Sequence, residues 1–161
     1  MRIFCLLLLA ATLEAQLPIS IGIKAGGVLN QISVPHTLNE IFPLKGGPYI
    51  ELSLPFLPII ESGVMFENYN SPSGSLLVYQ VPLLLKKRFN AIAIKPFVAG
   101  GATFRMVPAR NEQSGGATFA AGFTVGLLPI KIEPELRYTR WFNTVQTPRS
   151  QQIEFLVGIR F

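Results

Sequence analysis

The sequence contains no aspartate, one histidine and one cysteine, and only 14% of its 161 residues are charged. A typical soluble domain has a charged share of about 25%. Zinc and calcium sites are built from cysteine, histidine and acidic clusters, and these residue types are too scattered here to form one. With Cys5 as the only cysteine, no disulfide forms within the chain. We therefore predict a domain without cofactor that is stabilised by its fold alone.

The apolar run at the start of the chain is short. The stretch "MRIFCLLLLAATLEAQ" has one basic residue, Arg2, and then apolar residues from Ile3 to Ala11. A transmembrane helix needs about 20 such residues. A basic start, a short apolar centre and a small residue at Ala15 are instead typical of a secretory signal peptide. We predict a signal peptide over residues 1–15 and a single domain over residues 16–161.

Beyond this segment the chain has no long apolar run, although 49% of its residues are hydrophobic. Membrane-spanning helices need such runs, whereas membrane-spanning strands show only segments of about ten residues with alternating polarity. The net charge of +5 comes without a basic cluster beside aromatic residues. We therefore predict no nucleic-acid partner.

Alternation with a period of two recurs along the chain. It is clearest in the last segment, "QQIEFLVGIRF", where one face is apolar and the other mostly polar or small. The eight predicted strands are Ile19–Asn30, Lys45–Leu54, Ile59–Tyr69, Leu76–Phe89, Ala93–Met106, Gly116–Leu128, Lys131–Phe142 and Gln151–Phe161. Long connections, such as "NSPSG" and "VPARNEQSG", alternate with short ones, such as "NAI". This pattern predicts an all-β fold, an eight-stranded antiparallel up-and-down transmembrane β-barrel of the outer-membrane type.

The polar faces of these strands carry charges of both signs. A charge facing hydrocarbon costs about 2–4 kcal/mol at the bilayer midplane, so we expect the polar faces to line the lumen. An eight-stranded barrel is narrow enough for its interior to be filled by side chains. We predict that opposite charges pair across it and close the bore, in a network of Glu133, Glu135, Arg137, Glu154 and Arg160. In "KPFVAGGATFR", Lys95 and Arg105 share a face with Phe97, and the alternation leaves the facing of this strand open.

Four motifs in this order carry a resemblance to a known family: "VYQVPLLLKKRFN", "KPFVAGGATF", "PELRYTRW" and "EFLVGIRF". They resemble the small PorT-like outer-membrane β-barrel domain, from Ser20 to Phe161. The resemblance implies an eight-stranded barrel in the outer membrane of a Gram-negative cell envelope, and little chemistry, because the family is defined by its scaffold. Gln80 stands where the family pattern has a glutamate. Phe161 is an aromatic last residue, as in other outer-membrane barrels, which implies that the barrel-assembly machinery recognises it.

The function predicted from these features is structural or surface-interacting, without enzymatic activity. With a filled lumen, only the outer loops can meet a partner, which is an unidentified surface ligand or the outer-membrane lipid. Arg110, Arg140 and Arg149 are candidates for binding lipid phosphates at the rim. A merely solvated rim is the simpler alternative.

Two other functions are considered. A secreted lipocalin-like barrel would bind a small hydrophobic ligand and would place apolar residues inside. Against it, aromatic residues at strand ends are predicted to form interfacial girdles; they are Tyr69, Tyr79, Phe89, Phe104, Tyr138 and Trp141. An outer-membrane lipid hydrolase would need a triad such as Ser33, His36 and Glu40, which nothing in the spacing brings together.

Overall fold

The computed structural model describes residues 18–29, 44–71, 74–90, 94–127, 130–142 and 151–161. The strands are β1 (Ile19–Val28), β2 (Leu44–Leu52), β3 (Ile59–Gly63), β4 (Met65–Ser71), β5 (Gly74–Arg88), β6 (Ile94–Val107), β7 (Glu112–Leu127), β8 (Ile130–Trp141) and β9 (Gln151–Arg160). All neighbours pair antiparallel, and β1 pairs with both β2 and β9, so the sheet closes on itself. The predicted signal peptide lies outside the described residues.

β3 and β4 are two halves of one wall strand, which makes this a closed eight-stranded barrel and confirms the predicted fold class. Both halves keep the same register against β2 and against β5. At the break between them, the register places Pro48 opposite Val64 and Pro82 opposite Gly63. Proline has no N–H to donate to a sheet ladder. The strand is therefore interrupted by missing donors on both sides and not by a bulge.

The strands are strongly staggered around the barrel. A path that follows paired residues from Leu29 through all the other strands returns to β1 at Ile19, ten residues earlier. Such a stagger requires the strands to tilt, typically by about 35–45° from the barrel axis. The stagger also decides which side chains meet inside, because residues at the same height come from distant positions in the chain.

The two ends of the barrel differ in their connections. We call the end that carries Ile19 and Phe161 the terminal end; its connections are residues 53–58, 89–93 and 128–129. The other end, the distal end, carries the connections between β1 and β2, β4 and β5, β6 and β7, and β8 and β9.

The predicted lengths of two distal connections were wrong. β4 and β5 pair as far as Ser71 and Gly74, so the predicted loop "NSPSG" is a hairpin with only residues 72–73 between its strands. β6 and β7 pair as far as Val107 and Glu112. The chain reverses there through a 3₁₀ turn over Pro108–Arg110 and through Asn111 in the left-handed conformation. The prediction assigned polar residues near these turns to loops because they are polar. In the structure these residues keep their cross-strand partners.

The two faces of the wall have opposite chemistry. Charged side chains of both signs are buried inside: Lys24, Lys45, Lys86, Arg105, Arg137 and Arg160 with Glu51, Glu61, Glu67, Glu133, Glu135 and Glu154. Large apolar side chains are exposed outside on every wall strand, for example Ile21, Ile50, Leu85, Val98, Phe119, Leu136 and Phe155. In β6, Phe97, Thr103 and Arg105 face the lumen, which settles the facing that the sequence left open. This distribution is the reverse of a lipocalin-like barrel, so that alternative was wrong.

No helix in the described ranges is long and apolar enough to cross a membrane.

Candidate functional site in the barrel lumen

Most lumen charges form one connected cluster, which we call the inner charge network. It consists of four glutamates and five cations: Glu51, Glu61, Glu133, Glu135, Lys24, Lys86, Arg88, Arg137 and Arg160. These residues come from β1, β2, β3, β5, β8 and β9, so the network joins opposite walls of the barrel. Alternation places them on the inner face, and the stagger of the strands brings them to the same height.

Lys86 lies at the centre of the inner charge network. Its Nζ is 2.7 Å from Glu51, 2.9 Å from Glu133 and 3.1 Å from Glu61. The Lys86 ammonium also lies 4.0 Å from the ring centroid of Phe97. One buried ammonium with three donors thus meets three carboxylates and an aromatic face, which is the full compensation that a buried charge requires.

Two guanidinium groups close the network towards the terminal end. Arg88 Nη2 donates to Glu51 Oε2 at 2.6 Å and to Glu133 Oε1 at 2.8 Å. Arg160 Nη1 donates to the same Glu51 Oε2 at 2.6 Å. Each of these two carboxylates therefore binds three cations, counting Lys86, and both are fully buried.

Arg137 and Lys24 form the part of the network nearest the middle of the barrel. Arg137 Nη2 lies 2.7 Å from Glu135 and 3.2 Å from Glu61. Lys24 pairs with Glu135 at 2.7 Å and also with Glu61. The Lys24 ammonium lies 4.7 Å from the ring centroid of Tyr49.

Glycines on neighbouring strands make room for the Tyr49 ring. A Cβ at Gly22 would lie 2.4 Å from Tyr49 Cε1, and a Cβ at Gly63 would lie 2.9 Å from Tyr49 Cβ. Real Cβ atoms do not approach this closely, so only glycine leaves space for an aromatic ring between these strands.

A second cluster fills the lumen towards the distal end, and we call it the distal layer. It consists of Lys45, Glu67, Gln80, Trp141, Gln152 and Glu154. Lys45 Nζ lies 2.5 Å from Glu154 and 2.5 Å from the Gln80 amide oxygen. The Gln80 and Gln152 amides donate to Glu67 at 2.8 and 3.1 Å. The distal layer is therefore linked mainly by amide hydrogen bonds.

Three threonine hydroxyls cross the inner face of β6, β7 and β8. Thr103 and Thr118 are 2.7 Å apart, and Thr118 and Thr139 are 2.9 Å apart. Thr118 is thus the middle of a three-membered chain in which each buried hydroxyl has a partner. Beyond this chain, the Arg105 guanidinium lies 4.3 Å from the Trp141 ring.

The structure brings four of the five residues of the predicted network into the inner charge network. Arg137 contacts Glu135, and Arg160 Nη2 lies 3.3 Å from Glu133. Glu154 instead pairs with Lys45 in the distal layer.

Sequence reasoning did not name Lys45 or Gln152 as lumen residues, and it left the facing of Arg105 open. The signal for Lys45 was present, because it has the same parity as Glu51 in β2. Trp141 was predicted to lie in an interfacial girdle, and this was wrong. It is 3% exposed inside the barrel, and its indole donates to Gln152 at 3.0 Å. Trp141 is an even number of residues from Glu135 and Arg137 in β8, so the alternation places its side chain on the lumen face as well.

The other girdle candidates that the structure describes lie on the outer face. Phe89 and Phe104 are exposed, whereas Tyr79 and Tyr138 are half-buried. Tyr79 packs edge-on against Phe66, with ring centroids 5.5 Å apart. The side chain of Tyr69 lies outside the described part.

The rim arginines are described only in part. Arg140 is exposed near the distal end of β8 and points away from the lumen. Arg110 ends the 3₁₀ turn, but its side chain is outside the described part, as is all of Arg149. The hydrolase candidates Ser33, His36 and Glu40 also lie outside the described residues. Phe161 is 69% exposed, and its N–H donates to the carbonyl of Ile21 at 3.0 Å.

Solved structures with this architecture include neisserial surface protein A, NspA, with a TM-score of 0.66 at 13% identity over 88% of this chain and 94% of that one. The N-terminal β-barrel domain of Pseudomonas aeruginosa OprF has a TM-score of 0.51 at 14% identity over 88% and 97%. Ail, the attachment invasion locus protein of Yersinia pestis, has a TM-score of 0.51 at 14% identity over 89% and 96%. No family model matches the sequence, and no curated protein sequence matches it either. The chain has the fold of small outer-membrane β-barrels.

The lumen geometry is suited to closing the barrel. The two clusters and the threonine chain pair buried polar groups with one another across the bore. Among the described residues, no group of three histidine, cysteine or acidic side chains is placed to hold a metal ion. The interior is a plug of side chains.

Proposed function

We propose that the protein is an integral β-barrel of a bacterial outer membrane, with a structural or surface-interaction role and a closed lumen. The observation that carries the proposal is the pairing of an apolar outer surface with a charged, side-chain-filled interior. A charge that faces lipid costs free energy, and so does a large apolar surface that is exposed to water. An apolar outside with a charged interior therefore suits only a lipid environment.

Two measurements test this proposal. The protein should sediment with outer membranes and need detergent for extraction, and its folded and heat-unfolded forms should migrate differently in a detergent gel. Recovery of folded protein from the periplasm without detergent would contradict membrane integration. Because the inner charge network joins opposite walls, the purified barrel should show no steady conductance in planar bilayers. Conductance of large ions would contradict the closed lumen.

Within this class, we propose that the chain is a member of the PorT-like small barrels and is not an enzyme. The order of its four strand motifs supports the family, and the same resemblance, which implies a scaffold with little chemistry, supports the non-enzymatic role. The Gln80 departure is consistent with the structure, because the amide serves both Lys45 and Glu67 in the distal layer. Hydrolysis of phospholipid by the purified barrel, lost on replacement of Ser33, would contradict the non-enzymatic role.

For partners, we propose that Arg110, Arg140 and Arg149 bind lipid phosphates at the distal rim and that Phe161 is recognised by the barrel-assembly machinery. Support for the first comes from Arg140, an exposed guanidinium on the outer face near the distal end. Support for the second comes from the exposed aromatic ring of Phe161 beside a paired backbone.

Replacing the three rim arginines with glutamine should weaken binding of lipopolysaccharide while the heat-shifted gel migration persists. Lys87→Gln is the matched control for Arg140→Gln, since Lys87 is an exposed cation on the outer face near the terminal end. Equal effects of these two single variants would remove the claim for the distal rim.

A further inference from the structure

The barrel has an open, positively charged cavity at its terminal end. Its volume is about 590 Å³, and its lining includes Ser20, Ser53, Arg88, Lys95, Lys131 and Arg160. Small-molecule sites in proteins typically have volumes of about 300–1,000 Å³. No acidic residue is among the described residues that line it. The cavity is therefore large enough for a small ligand and has the charge to select an anion.

Two of its four cations are not neutralised. Arg88 and Arg160 bind Glu51 and Glu133 below the cavity. The ammonium groups of Lys95 and Lys131 form no ion pair with any residue in the described ranges. An exposed lysine is normally surrounded by water, but here two lysines share one concave surface with two arginines, and the local charge stays positive.

The strand register makes this clustering unfavourable in the empty barrel. Lys131 on β8 lies directly opposite Arg160 on β9. Like charges at directly opposite positions destabilise an antiparallel pair. An anion bound between them would convert this repulsion into two attractions.

Arg160 provides an independent sign of a missing partner. Its side chain is 6% exposed, yet its buried Nε has no hydrogen-bond acceptor within the described part of the protein. A buried donor without an acceptor is costly. The Nη atoms of Arg160 already bind Glu51 and Glu133, and the residue lines the cavity, so Nε is the donor of this side chain that an oxygen-rich ligand could supply with an acceptor.

We propose that this cavity binds a phosphate group. Guanidinium, ammonium and hydroxyl donors converging on one concave surface match the several oxygens and the charge of a phosphate. The phosphate belongs either to a small solute or to the headgroup of a lipid in the adjacent leaflet, because both present the same oxygens. The site is at the opposite end of the barrel from the rim arginines and is independent of them.

The test compares Lys95→Gln/Lys131→Gln with the wild-type barrel, because this double variant removes the two unpaired ammonium groups and leaves the inner charge network intact. The control is Lys87→Gln, which removes a positive charge from an outward-facing position near the same end of the barrel. Binding of inorganic phosphate is measured by calorimetry in a maltoside detergent, which contains no phosphate. Binding of phosphatidylglycerol added to the same micelles is measured by native mass spectrometry, with the same control.

Wild-type protein should bind at least one of the two probes saturably, and the double variant should weaken that binding at least tenfold, while the control stays within twofold. Binding of inorganic phosphate identifies a solute site, and binding of phosphatidylglycerol alone identifies a headgroup site. Absence of saturable binding to both probes would overturn the proposal. Equal binding by the double variant, with normal heat-shifted migration, would overturn it as well.

Discussion

The two halves of the lumen close the same bore in different ways. The inner charge network contains eleven ion pairs among its nine residues, whereas in the distal layer Lys45 pairs with Glu154, and Glu67 accepts hydrogen bonds from two amides. Amides and an indole supply further distal contacts. Removing a member of the network therefore leaves buried charge uncompensated, and removing a distal amide leaves a hydrogen bond unmade. The stability of the filled lumen is therefore not equally sensitive to substitution along its length.

The largest effect is expected from Glu61→Gln in the inner charge network. Glu61 compensates Lys24, Lys86 and Arg137, and the amide has almost the same volume, so the change removes charge without creating a cavity. Breaking a buried pair by neutralising one partner costs about 3–5 kcal/mol. Urea unfolding of the barrel in detergent, followed by gel migration, should show a loss of this size.

The matched variant for that comparison is Glu154→Gln in the distal layer. Glu154 contacts one cation, Lys45, and its second carboxylate oxygen has no donor within the described ranges. We expect a clearly smaller loss than for Glu61→Gln. Equal losses at the two positions would show that the halves of the lumen do not differ in sensitivity.

Gln80→Glu addresses the position at which the chain departs from the PorT-like pattern. The new carboxylate would keep the contact with Lys45 but would lose the amide donor to Glu67, 2.8 Å away. Two carboxylates at hydrogen-bond distance repel each other unless one takes up a proton. We expect a loss of about 2 kcal/mol, because Glu67 loses one of its donors and gains a carboxylate neighbour. A stabilised Gln80→Glu barrel would show that the distal layer accepts a second ion pair.

The sequence predicted the strands of this barrel better than the contacts between side chains in its lumen. Parity along each strand predicts which residues face inward, and it would also have placed Lys45 and Trp141 there. Parity does not predict which inward residues meet, because that depends on the stagger between strands. Glu154 was grouped with Arg137, its neighbour across β8 and β9, yet it forms an ion pair with Lys45 on β2. The facing of β6 was similarly open, since glycine and alanine in its middle carry little polarity.

Thr118→Val tests the row of threonine hydroxyls that lies between the inner charge network and the distal layer. The substitution keeps the side-chain volume and removes the hydroxyl that links Thr103 to Thr139. A hydrogen bond of this kind contributes about 1 kcal/mol, so we expect a loss of about 1–2 kcal/mol. Thr118→Ser keeps the hydroxyl and should retain both contacts. A valine variant as stable as wild type would mean that the neighbouring hydroxyls find other partners.

The smallest expected effect has the opposite sign and concerns the terminal end. Lys131→Gln removes one of two like charges that lie opposite each other on β8 and β9. In phosphate-free detergent, the free energy of unfolding should rise by about 0.2–1 kcal/mol. Addition of phosphate should stabilise wild type more than the variant. A destabilised variant would indicate that the lysine is already compensated in the empty barrel.

The prolines beside the break between β3 and β4 have a consequence for how the wall opens. Pro48 and Pro82 each remove one donor from the backbone ladder, on the two sides of the same wall strand, and the Val64 N–H still donates to the Pro48 carbonyl at 3.0 Å. Hydrogen exchange reports the local opening of such ladders. Amide protons around Gly63 and Val64 should therefore exchange with deuterium sooner than those of β7 and β8, whose pairing runs almost unbroken. If the barrel is unfolded by force, we expect the first wall strands to separate at this break and not between β1 and β9.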